Sequence, residues 1–199
     1  MSTGDHDRFS IAVGDEATRR AAVRRGLGAV VSAGLVPALL SPHEALAAAP
    51  KSDAAILAAA IRLENTAAAA YAAVAGNGAL TPQLRRSATL FGHQESEHAA
   101  ALAAALRGLG AAPPAGPDAK LLAPLHRART QKQVVTFVVG LESMIVAAYH
   151  DASKHLRQAA VLQRIAQIVA NEGQHLVVLR QTLGGDPAPN AFETGKSKT

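Results

Sequence analysis

Four glutamates stand where a helical core would place apolar side chains. Glu64 falls on the stripe Leu57, Ile61, Ala68, Tyr71, and Glu142 on the stripe Val135, Val138, Ile145, Tyr149. Glu95 lies between Phe91 and Leu102, and Glu172 between Ile168 and Leu179; each is followed three positions later by a histidine, His98 and His175. That separation puts Glu and His on one helical face, where both reach the same ion. An unpaired buried charge is so unfavourable that proteins pair or neutralise it, yet Arg62, Arg85, Arg86, Arg164 and Arg180 all fall off the apolar face. Two divalent cations would balance the four carboxylates. Oxygen donors with one imidazole per ion suit iron or manganese, and the absence of cysteine argues against a structural zinc site.

The pattern occurs twice. Glu64 and Tyr71 recur as Glu142 and Tyr149, 78 positions on, while Glu95, His98 and Leu102 recur as Glu172, His175 and Leu179, 77 positions on. A site with two-fold pseudo-symmetry requires such a correspondence. Either Glu-x-x-His pair alone would read as a surface pair; joined to Glu64 and Glu142 they read as one metal-binding set. Tyr71 and Tyr149 lie about 10 Å along the axis from the glutamates of their own helices. Core packing is their first reading, and hydrogen bonding to the carboxylates or electron relay the second. His93, His126, His150, His155 and Glu97 fall off the stripes and read as surface residues.

Four helices must position this set. The first is expected from Ser52 to Ala75, stopped by Gly76-Asn77-Gly78, and the second from the cap Thr81 and Pro82 to Arg107, stopped by Gly108 and Gly110. The short turn between them makes antiparallel neighbours. A Pro-rich connection then runs to Gln131 without strong periodicity, long enough for the third helix to begin at the end where the second began. The third helix is expected over Gln131 to Asp151 and the fourth over Ala159 to Leu183, and the polar tail from Asp186 reads as disordered.

The remaining sequence reads as an address. Arg8, Arg19, Arg20, Arg24 and Arg25 balance Asp5, Asp7, Asp15, Glu16 and Glu44, so the chain's net charge of +5 belongs to the residues after position 49. There the basic residues are scattered, in no run longer than Arg85-Arg86 and with almost no aromatics to stack on bases, which argues against nucleic-acid binding. Residues 1–49 have the layout of a signal peptide: a polar start, an apolar stretch from Gly26 to Leu40 and small residues around Ala45-Leu46-Ala47. Interrupted by Pro37, that stretch falls short of the roughly 20 residues that span a bilayer, so cleavage is favoured over an anchor. Thr18-Arg19-Arg20-Ala21-Ala22-Val23-Arg24 resembles the twin-arginine export motif, with Ala22 where a large apolar residue is usual. The expected organisation is a leader over 1–49, a helical domain over 50–185 and a tail over 186–199.

From about Lys51 to Leu183 the chain resembles the ferritin-like superfamily, above all its symmetric carboxylate-bridged members: bacterioferritins, rubrerythrins and small bacterial ferritin-like domain proteins. The resemblance implies an all-α antiparallel four-helix bundle with one long crossover between helices two and three. It implies two iron ions, or manganese, held by Glu64, Glu95, His98, Glu142, Glu172 and His175, with Glu95 and Glu172 bridging and Glu64 and Glu142 terminal. It also implies ferroxidase, peroxidase or catalase-like chemistry, with dioxygen or hydrogen peroxide as oxidant, ferrous iron or an external donor as reductant, and scope for homo-oligomers. Two departures bear on this. Rubrerythrins often carry a cysteine-held iron centre, which this chain cannot form, and the fifth short helix of cage-forming ferritins has no counterpart after Gly185, which argues against a storage shell. The expectation is therefore an exported di-metal protein, passed by the twin-arginine machinery to the periplasm, envelope or exterior. The alternative is a metal-binding or structural, stress-related envelope protein without catalysis.

Overall fold

A computed structural model describes residues 52–196. The expected leader and its cleavage region lie outside the described residues. The helices are α1 (Asp53–Ala75), α2 (Pro82–Gly108), the short α3 (Ala119–Leu122), α4 (Gln131–Ala152) and α5 (Ala159–Thr182), with a 3-10 turn at Leu125–Arg127 and no strand among the described residues. The four long helices form the expected all-α bundle, in which α1 pairs with α2 and α4 with α5.

Local chemistry sets the helix starts. Ser52 caps α1 by accepting from Ala55 N, and Thr81 caps α2 by accepting from Leu84 N, ahead of Pro82. At α4, Thr130 accepts from Gln133 N while the Gln133 side chain accepts from Thr130 N, a reciprocal capping box. The start of α5 has no side-chain cap of its own. The carboxylate of Asp53 supplies one from the far end of the sequence, accepting from Arg157 N at 3.0 Å and Gln158 N at 2.8 Å.

These caps also fix the directions of the helices. Asp53 ties the start of α1 to the start of α5. At the other end, Thr81 N donates to Gln131 Oε1 at 3.1 Å, bringing the starts of α2 and α4 together. The connection 109–130 therefore runs the length of the bundle, as a crossover must. Buried Thr66 pins it midway, donating to Arg62 O at 2.7 Å and accepting from Asp118 N at 2.8 Å.

The core is aliphatic: Leu57, Ile61, Leu102, Val138, Ile145, Ile165 and Leu176 are all buried. Among the described residues one helix, α4, is long and apolar enough to cross a membrane by length and composition; most of its apolar window is buried inside the bundle. The tail has no regular secondary structure in its described part, but it lies against the bundle. Glu193 accepts from Arg180 at 2.6 Å, and Gly195, at φ +70°, sits so close to Ser143 O and Ala147 N that a Cβ there would overlap both. Neither contact is visible in composition, which is why the tail reads as disordered from sequence.

Because Asp53 is the only side-chain cap of α5 among the described residues, Asp53→Ala is expected to cost about 2 kcal/mol and to lower the thermal midpoint by roughly 5 °C. Asp53→Asn, which keeps one accepting oxygen, is expected to fall between. An unchanged melting curve for the Ala variant would show that the start of α5 is held by something else.

Candidate metal centre

Glu64, Glu95, Glu142 and Glu172 are each 0% exposed, one on each long helix at mid-bundle. With His98 and His175 they form two groups of donor atoms, Glu64, Glu95, His98 and Glu172 in one and Glu95, Glu142, Glu172 and His175 in the other, each group lying within 4.8 Å. Glu95 and Glu172 belong to both groups.

The atoms show how the sharing works. His98 Nδ1 is 3.1 Å from Glu172 Oε1, 3.4 Å from Glu95 Oε2 and 3.5 Å from Glu64 Oε2. His175 Nδ1 is 3.0 Å from Glu95 Oε1 and 3.3 Å from both Glu172 Oε2 and Glu142 Oε1. Each shared carboxylate thus turns one oxygen to one histidine and the other oxygen to the other, while Glu64 and Glu142 each serve a single half.

Tyr71 and Tyr149 complete the arrangement crosswise. Tyr71 on α1 donates to Glu142 on α4, and Tyr149 on α4 donates to Glu64 on α1. Core packing alone is therefore an incomplete account of these residues: both are buried and both bond a carboxylate. The bond goes to the facing helix because α1 and α4 are antiparallel, which sets each tyrosine level with its neighbour's glutamate. Gly92 makes room for this on one side, since a Cβ there would stand 3.0 Å from Tyr71 Cβ.

Sequence reasoning misses two more residues at the site. Gln94 Oε1 lies 2.8 Å from His175 Nε2, and Phe91 stacks on the His175 ring at a centroid distance of 4.1 Å. Gln94 has a sequence signal, because the internal repeat pairs it with Asn171, another carboxamide just before the shared glutamate. His93, His126, His150 and His155 are exposed and lie outside the cluster.

The donor atoms fit cations. Glu64 Oε2, both oxygens of Glu95, Glu142 Oε2, both oxygens of Glu172 and the Nδ1 atoms of both histidines are buried without a hydrogen-bond partner, although buried polar groups are nearly always satisfied. Burial pushes the Glu64 and Glu142 carboxyls well above the usual range, and the charges of Glu95 and Glu172 add to this, against the opposing pull of the nearby His98 and His175 imidazoles. Burial also disfavours charge on the imidazoles, but the carboxylates around them prevail. His98 is pushed up to about 12 by Glu172, Glu64 and Glu95, and His175 to about 11 by Glu142, Glu172 and Glu95. Glu172, which burial alone would raise, is held at about 2, chiefly by His175 and His98. Burial, reinforced by Glu142 and Glu64, raises Tyr71 and Tyr149 well above 10, so both hydroxyls keep the proton they donate. Protons and cations thus compete for one donor set, and binding a cation releases protons.

The sign of the pH dependence follows. Stability from the raised imidazoles is complete below their ordinary value of 6.5 and is lost as pH rises toward about 11 to 12. The raised carboxyls of Glu64 and Glu142 act in the same direction from 4.5 upward, while Glu172 opposes only as pH falls from 4.5 toward 2. Chelator-treated protein is therefore expected to melt at progressively lower temperature as pH rises from 6.5 to 10, with added manganese raising the midpoint most at the alkaline end. A midpoint independent of pH in scanning calorimetry would contradict this account of the histidines.

A family model described as a ferritin-like domain matches residues 52–185 of the chain. No curated protein and no solved structure matches it.

Proposed function

This chain belongs to the ferritin-like domain family, and from that premise we propose that it is an exported di-iron carboxylate oxidoreductase, with manganese as the alternative metal. Glu64 and His98 would hold one ion, Glu142 and His175 the other, and Glu95 and Glu172 would contribute to both. The observation that carries the reading is the pair of donor groups sharing two carboxylates, with their lone pairs buried and unpaired. Two divalent cations offset four carboxylates that no buried Lys or Arg offsets among the described residues.

Two ferrous ions held there would supply one electron each, enough to reduce hydrogen peroxide with two protons to two waters, or dioxygen with two protons to hydrogen peroxide. The chain's own residues prepare for that exchange. Glu95 and Glu172 keep the two positions close enough to act together. Tyr71 and Tyr149 occupy one oxygen of Glu142 and of Glu64 and so orient the other oxygen, which would be left for an ion. The buried aliphatic core on the same helices, Leu57, Ile61, Leu102 and Ile145 among it, keeps bulk water from the bundle interior and so strengthens contacts between the buried charges.

The test is elemental analysis of the chain purified from an iron- and manganese-replete culture, beside a variant with both Glu95→Ala and Glu172→Ala. About two ions per chain, lost in the variant, is the expected result. Ferrous protein prepared without oxygen is then expected to be oxidised by dioxygen or peroxide. No transition metal in the parent, or as much in the variant, would leave the bundle as a scaffold.

Export rests on the leader, which lies outside the described residues. Replacing Arg19 and Arg20 together by Lys is expected to retain an unprocessed precursor in the cytoplasm. Cell fractionation with N-terminal sequencing reads the outcome, and normal release of the Lys variant would exclude the twin-arginine route.

A further inference from the structure

The two halves of the centre are related by the internal repeat but are not finished alike. His175 is clamped: Gln94 holds its outer nitrogen at 2.8 Å, Phe91 covers its face, and its side chain is 1% exposed. The repeat offset of 77 puts Asn171 at the position equivalent to Gln94 and Ile168 at that of Phe91. An Asn side chain is one methylene shorter, and among the described residues none bonds His98 Nε2. The His98 side chain is 13% exposed. Since Nδ1 of His98 faces the carboxylates, its uncovered edge is the outer one.

We propose that the two metal positions are inequivalent, cations entering and leaving through the Glu64–His98 half while the Glu142–His175 half, locked by Gln94 and Phe91, retains its ion. This rests on the two-metal reading and adds to it a direction of exchange. An ion leaves when its ligands turn away from it. His98 can turn about its side-chain bonds and take water at Nε2, whereas turning His175 breaks the Gln94 bond and the Phe91 stack together. Gln94 is thus a positioning residue that acts through His175 and touches no ion.

The full-length mature protein is charged with manganese(II) and chased with excess chelator, and the manganese still bound is followed over time by rapid desalting and elemental analysis. Two phases of equal amplitude are expected. Gln94→Ala is expected to speed the slow phase about tenfold, the usual scale for loss of a hydrogen bond behind a metal ligand, and to leave the fast phase unchanged. Asn171→Gln, which restores the longer carboxamide beside His98, is expected to slow the fast phase alone. Its gain of retention is an effect that misfolding cannot imitate. Release of both ions in one phase, or acceleration of the fast phase by Gln94→Ala, overturns the inequivalence and leaves the two-metal centre standing. Failure of the parent protein to hold manganese or ferrous iron overturns both.

Discussion

Four carboxylates buried together with no buried lysine or arginine among the described residues are the constraint around which the rest of this structure is arranged. Left ionised and unpaired they would oppose folding, because desolvation and mutual repulsion act in the same sense. The chain meets this partly with its own groups. Two imidazoles each face three carboxylates, and two tyrosine hydroxyls each take one oxygen. What these groups leave unpaired is a shared pair of carboxylates in the middle and one lone oxygen at each side, the set of donors that two cations would use.

Such a cluster forms only if four helices meet in one register, and the fixing points lie far from it. Asp53 joins the first and last long helices at one end, the Thr81–Gln131 bond joins the middle two at the other, and Thr66 holds the crossover along the side. None of the three touches the site. Together they determine that α1 and α4 run antiparallel, which lets Tyr71 reach Glu142 while Tyr149 reaches Glu64. A slip of one turn, about 5.4 Å, would uncouple both bonds at once, so the crossed tyrosines also check the register the caps impose.

What could be read from sequence, and what could not, divides along the same line. The long helices are legible to within a residue or two because Ser52, Thr81 and Pro82 begin them and Gly76 and Gly108 mark their ends. The six donors are legible because polar residues in apolar stripes stand out, the more so when they repeat. Asp53 as the cap of α5, the crossed tyrosine bonds and the docking of Gly195 are not legible, because each joins residues far apart in sequence and leaves no periodic trace. The short α3 and the turn at Leu125–Arg127 fall below the length at which periodicity can be seen. Gln94 is the intermediate case: its contact is tertiary, but its pairing with Asn171 lies in the repeat.

The repeat also shows where the symmetry ends. Donor residues and tyrosines are the same in both copies, whereas the residues behind them differ: Phe91 against Ile168, Gly92 against Val169, Gln94 against Asn171. Facing the same two shared carboxylates constrains the first group tightly, since each donor must match its counterpart in type and reach. Packing constrains the second group, and packing does not need symmetry. On the Tyr71 side, Gly92 lets α2 approach α1 and Phe91 seals the ring of His175. A core sealed equally on both sides would exclude water well but would give a hydrated cation nowhere to shed its shell. Leaving one imidazole edge open reconciles a dry centre with access to it.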